Sequence, residues 1–276
     1  MAHYYSAVYI DGISREHSIE IFTPNYDLLI EESLERHKVA FFDGFVGSHR
    51  PFFDPVSVSS DSLPPRWALL WKLHGSLGWK VYGDSVVRTG LREATELIYP
   101  DHLKYDQIGR QPYSALFERL REFLMMPDTL LICSGFSFRD FHIRAVIQEG
   151  LAANPHTAVL AFQYKILNEE TAATSLAKAR HNMSVYAKDG AIISGSEGKW
   201  MPGQSPNEAW QEIRRTFWDD DSETNTGEFL LGDFTRLADF LRLIQVQQVS
   251  FSVARVDQDA NNSSTPFPLV VQSNAE

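Results

Sequence analysis

Three short polar or glycine-rich segments of the sequence each follow an apolar run. They are Thr23–Asp27 (TPNYD), His74–Ser76 (HGS) and Ser134–Ser137 (SGFS), and Asp140 comes three residues after the last of these. An amide and a carboxylate can orient a bound molecule, and an imidazole that titrates near neutral pH can take up a proton. These residue types therefore indicate a ligand site with acid–base chemistry, provided that the fold brings the segments together.

The apolar runs before these segments have the composition of β-strands. They cover Ser18–Phe22, Ala68–Leu73 and Thr129–Gly135, a further strand is predicted at 157–164, and amphipathic helical patterns lie between them. This order predicts an α/β fold with a mostly parallel sheet flanked by helices, interrupted by irregular and helical insertions. Because the carboxyl ends of parallel strands lie at one edge of a sheet, we expect the three segments to converge.

Each segment also has a purely structural interpretation. Asn25 or Asp27, taken alone, is more often a helix cap than a catalytic group. A histidine before a glycine, such as His74, is more often a turn residue, and Gly135 with Ser137 indicates only a tight turn between a strand and a helix. The occurrence of three such segments at corresponding strand ends favours a site.

Composition excludes several classes of function. The net charge of −11 argues against direct binding of nucleic acid, whose phosphates require many Lys and Arg side chains. No apolar run approaches 18 residues, and the amino terminus lacks the pattern of a signal peptide, so we predict a cytoplasmic protein without a membrane segment. Cys133 is the single cysteine, and the histidines show no ligand spacing, so we predict no metal site.

The sequence also predicts the bounds of the domain and the character of the segments outside the candidate site. We predict one domain over residues 1–245 and an unstructured tail over residues 246–276. The Phe-, Gly- and Pro-rich stretch Val39–Pro65 is expected to be irregular, and its Phe41–Phe53 part is interpreted either as a flap over a ligand or as packing. The acidic stretch Trp218–Glu223 is expected to be a solvated loop. Tyr4, Tyr5 and Tyr9 are expected to form a contact surface or part of the core.

The segments TPNYD, LHG and GFSFRD, in this order, resemble the motifs of the sirtuin NAD-binding core. The resemblance covers Ile19–Trp200 and is closest to the bacterial sirtuin-like NADases of antiphage defence. These include Thoeris effectors and the sirtuin-like subunits that pair with HerA-type ATPases. The resemblance implies a Rossmann-like domain that takes NAD as its substrate, a homo-oligomer, and a HerA-type hexameric ATPase as a partner.

The resemblance also implies a role for individual residues. Asn25 would position the attacking water and the nicotinamide ribose, Asp27 would hold the carboxamide of nicotinamide, and His74 would contact the ribose hydroxyls as a base or an orienting group. The remaining residues implied to bind NAD are Thr23, Gly75, Gly135, Ser137 and Asp140. Cleavage of the N-glycosidic bond passes through an oxocarbenium-like state, which requires a placed water and the exclusion of bulk solvent.

Two departures from the sirtuin pattern limit what the resemblance implies. Deacylating sirtuins carry a four-cysteine zinc module, so a chain with one cysteine is expected to hydrolyse NAD without structural zinc. The family also opens with a Gly-rich turn that cradles the pyrophosphate, and none precedes Thr23, so we expect the amino-terminal part of the domain to be missing. Because binding energy away from the scissile bond also positions that bond, we expect this chain alone to hydrolyse NAD poorly or not at all. The alternative to an NADase is therefore a non-catalytic sirtuin-like subunit that docks a HerA-type ATPase.

Overall fold

The computed structural model describes residues 18–60, 62–91, 109–201, 203, 208–221, 226–251 and 272–273. The chain divides into two compact units, and the boundary lies between Phe123 and Leu124, inside a helix. Among the described residues, the first unit ends at Phe123 and the second unit begins at Leu124. Tyr4, Tyr5 and Tyr9, for which we predicted a contact surface or core packing, lie outside the described residues.

The first unit contains the first two predicted site segments, Thr23–Asp27 and His74–Ser76. Its elements are β1 (Ile19–Thr23), α1 (Leu29–Arg36), β2 (Phe41–Phe42), β3 (Phe45–Val46), β4 (Phe52–Phe53), α2 (Pro55–Val58), β5 (Ala68–Lys72), β6 (Trp79–Tyr82), β7 (Ser85–Arg88) and α3 (Tyr113–Met125), of which the last two residues belong to the second unit. β5 lies between β1 and β2, and both pairings are parallel. The register pairs Thr23 with Lys72, so β1 and β5 end at the same edge.

The Phe-rich stretch is more regular than its composition indicates. β3, β4, β7 and β6 form an antiparallel sheet in that order, so Val39–Pro65, which was predicted to be irregular, contributes two short strands to a sheet. Phe45 and Phe53 are buried, and the Phe45 ring lies 5.1 Å from the ring of Trp79, centroid to centroid. Burial of these aromatic faces stabilises strands of only two residues each. Phe45 and Phe53 therefore pack rather than form a flap.

A buried ion pair joins α3 to the first strand. The Arg119 guanidinium donates to both carboxylate oxygens of Glu20, at 2.9 and 2.6 Å. The indole Nε1 of Trp71 also donates to Glu20, at 2.6 Å, and Trp71 is completely buried. Because both carboxylate oxygens accept hydrogen bonds, the desolvation cost of burying this charge between β1, β5 and α3 is offset.

The second unit contains the third predicted site segment. Its elements are β8 (Leu130–Ser134), α4 (Phe141–Ala153), β9 (Ala158–Phe162), a 3₁₀ turn (Leu167–Glu169), α5 (Thr171–Ala179), β10 (Met183–Tyr186), β11 (Gly190–Ile193), β12 (Ser196–Lys199), α6 (Glu208–Phe217), β13 (Trp218–Asp221), β14 (Thr226–Phe229), α7 (Phe234–Phe251) and β15 (Gln272–Ser273). β8, β9 and β10 are parallel, and helices connect them. The predicted α/β fold with parallel strands flanked by helices is confirmed.

Two predictions near the carboxyl terminus differ from the structure. Trp218–Asp221 is a strand that pairs with β14, and not the predicted solvated loop. The strand forms because Trp218 is buried and Asp220 is bonded by Arg214 at 2.6 Å. Helix α7 crosses the boundary predicted at residue 245, and Gln272–Ser273 in the predicted tail pairs with β12.

An aromatic cluster forms much of the core of the second unit. Trp200 is 4% exposed, and its ring is stacked on Tyr186 and lies 5.5 Å from Phe229, centroid to centroid. Its indole Nε1 donates to the carbonyl oxygen of Ala187 at 2.7 Å. Trp200 therefore fills the centre of the cluster and satisfies a buried carbonyl there. None of the described helices is long and apolar enough to span a membrane.

Candidate functional site

The turn after β1 carries Asn25 and Asp27. Thr23 is buried, and its hydroxyl accepts a hydrogen bond from the Asn25 backbone N–H at 3.1 Å. Asn25 is exposed. The Asp27 carboxylate accepts from the Leu29 N–H at 3.0 Å, so Asp27 satisfies a backbone donor at the start of α1, although the capping position itself is Leu28 and not the predicted Asp27. The exposed amide of Asn25 therefore lies on a turn that is stabilised by the hydrogen bonds of Thr23 and Asp27.

The turn after β5 carries His74 and Gly75. His74 and Ser76 are each 2% exposed. The Gly75 N–H donates to the Lys72 carbonyl at 3.0 Å, and Gly75 has a φ of 90°, which an L-residue with a side chain rarely adopts. The tight turn thus requires glycine directly after His74, and it holds the imidazole in the interior at the strand end.

The structure brings these two turns together. The Leu73 N–H donates to the Thr23 carbonyl at 2.9 Å, and the Leu77 N–H donates to the Tyr26 carbonyl at 2.8 Å. These bonds continue the parallel pairing of β1 and β5 beyond the strand ends. The expected convergence of Thr23, Asn25 and Asp27 with the His74–Gly75 turn is therefore present within the first unit.

Sequence reasoning missed a buried ion pair beside these turns. Lys72 is 2% exposed, its ammonium lies 3.0 Å from Glu31 of α1, and it also donates to the backbone carbonyl of Asp27. Burial raises the pKa of Glu31, and the Lys72 charge opposes that shift. One feature of the sequence could have indicated this ion pair. Lys72 is the single charged residue of the apolar run ALLWKL, and this run ends directly before His74.

A cavity of about 580 Å³ lies in the first unit. Its walls include Leu28 and Ser76, which directly follow the two turns, whereas Asn25, Asp27 and His74 are not among its lining residues. Asp43 and Arg88 form an ion pair on another wall; burial raises the pKa of Asp43 and the Arg88 charge opposes this. The volume is within the range of small-molecule sites.

The third predicted segment lies in the second unit. Gly135 has a φ of 68° and is exposed, as is Ser137, and Asp140 caps α4 by accepting from the N–H groups of His142 and Ile143, both at 3.0 Å. This explains why the chain turns from β8 into α4 at this point. Convergence of Gly135, Ser137 and Asp140 with the turns of the first unit stays a prediction.

The single cysteine has the environment of a structural residue. Cys133 is buried in β8, and burial raises the pKa of its thiol from 9.0 to about 12. At pH 8 this corresponds to roughly 10³-fold less thiolate than in a free thiol. Because ionisation is disfavoured only in the folded state, the free energy of unfolding falls as the pH rises from 9.0 towards about 12.

We therefore expect the Cys133 thiol of the native protein to react with a disulfide reagent at pH 8 at least about a hundredfold more slowly than in urea. The absorbance of the released thiolate, followed in both conditions, measures the two rates. Equal rates would mean that the thiol is open to solvent in the native protein.

The described residues contain no group of three or more His, Cys, Asp or Glu side chains that could hold a metal ion. Some of the histidines, among them His102, lie outside the described residues. Absence of zinc stays a prediction, which elemental analysis of the purified protein tests.

The fold and the paired turns define a class of protein. Parallel α/β proteins bind ligands at the carboxyl ends of their strands, and β1 and β5 both place polar turns there. A family model described as a SIR2-like domain matches residues 19–186, more than half of the chain, so the chain belongs to the SIR2-like domain family. A search among curated proteins found no match. SIR2-like domains bind NAD, so the function of this protein is related to NAD.

Proposed function

We propose that the protein is an NAD glycohydrolase that cleaves NAD to ADP-ribose and nicotinamide. One observation carries this proposal: the turn with Asn25 and Asp27 is hydrogen-bonded to the turn with His74 at the ends of two adjacent parallel strands. An amide, a carboxylate and an imidazole are thus held on neighbouring turns in a chain of the SIR2-like domain family.

The proposed reaction uses these groups on NAD as the substrate. The bond between the ribose carbon and the nicotinamide nitrogen breaks, and its electron pair neutralises the pyridinium as nicotinamide leaves. Asn25 places a water on the opposite face of the ribose, the water oxygen bonds to the oxocarbenium-like carbon, and His74 takes the released proton. His74 is 2% exposed, so its imidazole is shielded from bulk water.

Incubation of the purified chain with NAD tests the proposal. We expect nicotinamide and ADP-ribose to accumulate slowly and in equal amounts, as measured by liquid chromatography, and an acetyl-lysine peptide added with NAD to remain acetylated. Release of acetate from the peptide would indicate a deacylase instead. Tight binding of NAD without either product would contradict the hydrolase.

A non-catalytic subunit is the second candidate. The observation that favours it is the hydrogen bond between the Asp27 carboxylate and the Leu29 N–H, which gives Asp27 a structural task independent of any substrate. Such a subunit would dock a HerA-type hexameric ATPase without changing NAD. The NAD incubation described above distinguishes the two candidates.

The proposed biological setting is depletion of NAD in antiphage defence, in the cytoplasm, by a homo-oligomer that works with a HerA-type ATPase. The net charge of −11 disfavours contact between this chain and nucleic acid, so in this proposal the partner makes that contact. Light scattering of the chain, alone and with the ATPase, tests assembly. A monomer in both conditions at micromolar concentration would contradict this part of the proposal.

A further inference from the structure

Lys72 is a buried cation whose ammonium bonds to the Asn25–Asp27 turn and to the first turn of α1. Its side chain is 2% exposed, and its ammonium lies 3.0 Å from Oε1 of Glu31 and donates to the Asp27 carbonyl. A buried ammonium is costly unless it is paired and hydrogen-bonded. Here Glu31 supplies the charge and Asp27 supplies a hydrogen-bond acceptor.

The same residue also closes the other turn. The backbone carbonyl of Lys72 accepts from the Gly75 N–H at 3.0 Å, which fixes the loop that contains His74. Lys72 therefore holds the His74 turn through its main chain and the Asn25–Asp27 turn through its side chain. The Leu73 and Leu77 backbone bonds reach Thr23 and Tyr26, whereas the Lys72 side chain reaches Asp27.

We propose that Lys72 is a positioning residue that fixes the turn carrying Asn25 and Asp27 against the turn carrying His74. Its effect on catalysis rests on the proposed NAD hydrolysis, while its effect on the turns does not. Lys72 acts through the Asp27 carbonyl and does not touch the reacting atoms.

Stability alone does not require this ion pair. Replacing a buried ion pair by apolar side chains of similar volume is often neutral or stabilising, whereas removal of one partner leaves an uncompensated charge. Lys72→Met with Glu31→Leu is such a replacement, and it also removes the hydrogen bond to Asp27. The double variant thus separates packing from positioning.

The decisive experiment compares Lys72→Met, the double variant and the wild type by thermal unfolding and NAD cleavage. We expect the single variant to lose both stability and activity. In the double variant, Tm returns towards the wild-type value while kcat stays lower by about 10- to 100-fold, because a misplacement of about 1 Å can cost on the order of 10²-fold. Recovery of kcat together with Tm would overturn the positioning role.

Two further variants keep the test decisive if the double variant does not fold. Glu31→Gln retains the Lys72–Asp27 hydrogen bond, so it should lose less kcat than Lys72→Met when both are assayed well below their Tm values. Equal losses would overturn the proposal. Arg119→Met breaks another buried ion pair of the first unit, that with Glu20, and serves as the matched control, with a lower Tm and an unchanged kcat for the folded protein.

Amide hydrogen exchange tests the turns without any assay of NAD cleavage. We expect exchange within residues 23–28 and 73–77 to be faster in the double variant than in the wild type, with the amides of α3 unchanged. Unchanged exchange in the two turns would overturn the positioning role. An inactive wild type with faster exchange in the double variant would refute the NAD hydrolase and leave the positioning of the turns supported.

Discussion

Replacing Asn25 or His74 with alanine is expected to reduce NAD cleavage by at least about 10²-fold, because Asn25 places the attacking water and His74 accepts its proton. Asn25 is exposed, so loss of its amide costs little packing. His74 is buried, and His74→Gln, which keeps a polar side chain of similar size, is a second variant that limits the loss of stability. The measurement is kcat at saturating NAD, with circular dichroism to establish that each variant is folded.

Matched controls are available for both side chains. Asn168 is exposed in the 3₁₀ turn of the second unit, and His156 is 73% exposed in the same unit. Asn168→Ala and His156→Ala should both leave kcat and Tm unchanged. A folded Asn25→Ala or His74→Gln variant with wild-type kcat would remove that residue from the proposed mechanism.

Replacing Trp200 with alanine is expected to lower the free energy of unfolding by about 3–5 kcal/mol, the usual range for truncation of a buried tryptophan. The indole is 4% exposed and packs against Tyr186, Phe229 and Trp218. Its removal leaves a cavity among rigid rings and strips the Ala187 carbonyl of its donor. Urea unfolding, followed by circular dichroism, measures the change.

Two variants separate the parts of this loss. Trp200→Phe keeps an aromatic ring but removes the Nε1 donor, so it should lose clearly less stability than Trp200→Ala. Tyr164→Ala serves as the control, because Tyr164 is an aromatic residue of the same unit that is 67% exposed. A loss below about 1 kcal/mol for Trp200→Ala, within the range of ordinary surface changes, would mean that the cluster does not support the unit.

Strand ends and helix starts could be predicted from the sequence because local residues determine them. Asp140 stands directly before an amphipathic run, and it caps α4 by two hydrogen bonds. β1 and β5 were predicted from mostly apolar runs, and their parallel pairing followed from the alternation of strands and helices. The candidate site depended on the same local signals, because Asn25, Asp27 and His74 all follow these strands.

Features that depend on distant partners could not be predicted. The Trp218–Asp221 segment is acidic, and only its pairing with β14 and the burial of Trp218 make it a strand. The Phe-rich stretch forms strands because Phe45 and Phe53 pack on Trp79, a residue of a hairpin that lies further along the chain. The sequence around Lys72 does not indicate its acceptor, the Asp27 carbonyl, because that group is 45 residues away in the sequence.

The contacts of β1 also determine when this part of the protein can form during synthesis. Glu20 bonds Trp71, 51 residues later, and Arg119, 99 residues later. At about 5–20 residues per second, the ribosome needs roughly 5–20 s between adding Glu20 and adding Arg119. During that interval the carboxylate has no guanidinium to bury against, and the entropy of closing so long a loop further delays the pairing. The buried ion pair between Glu20 and Arg119 therefore forms only after nearly all of the first unit has been synthesised.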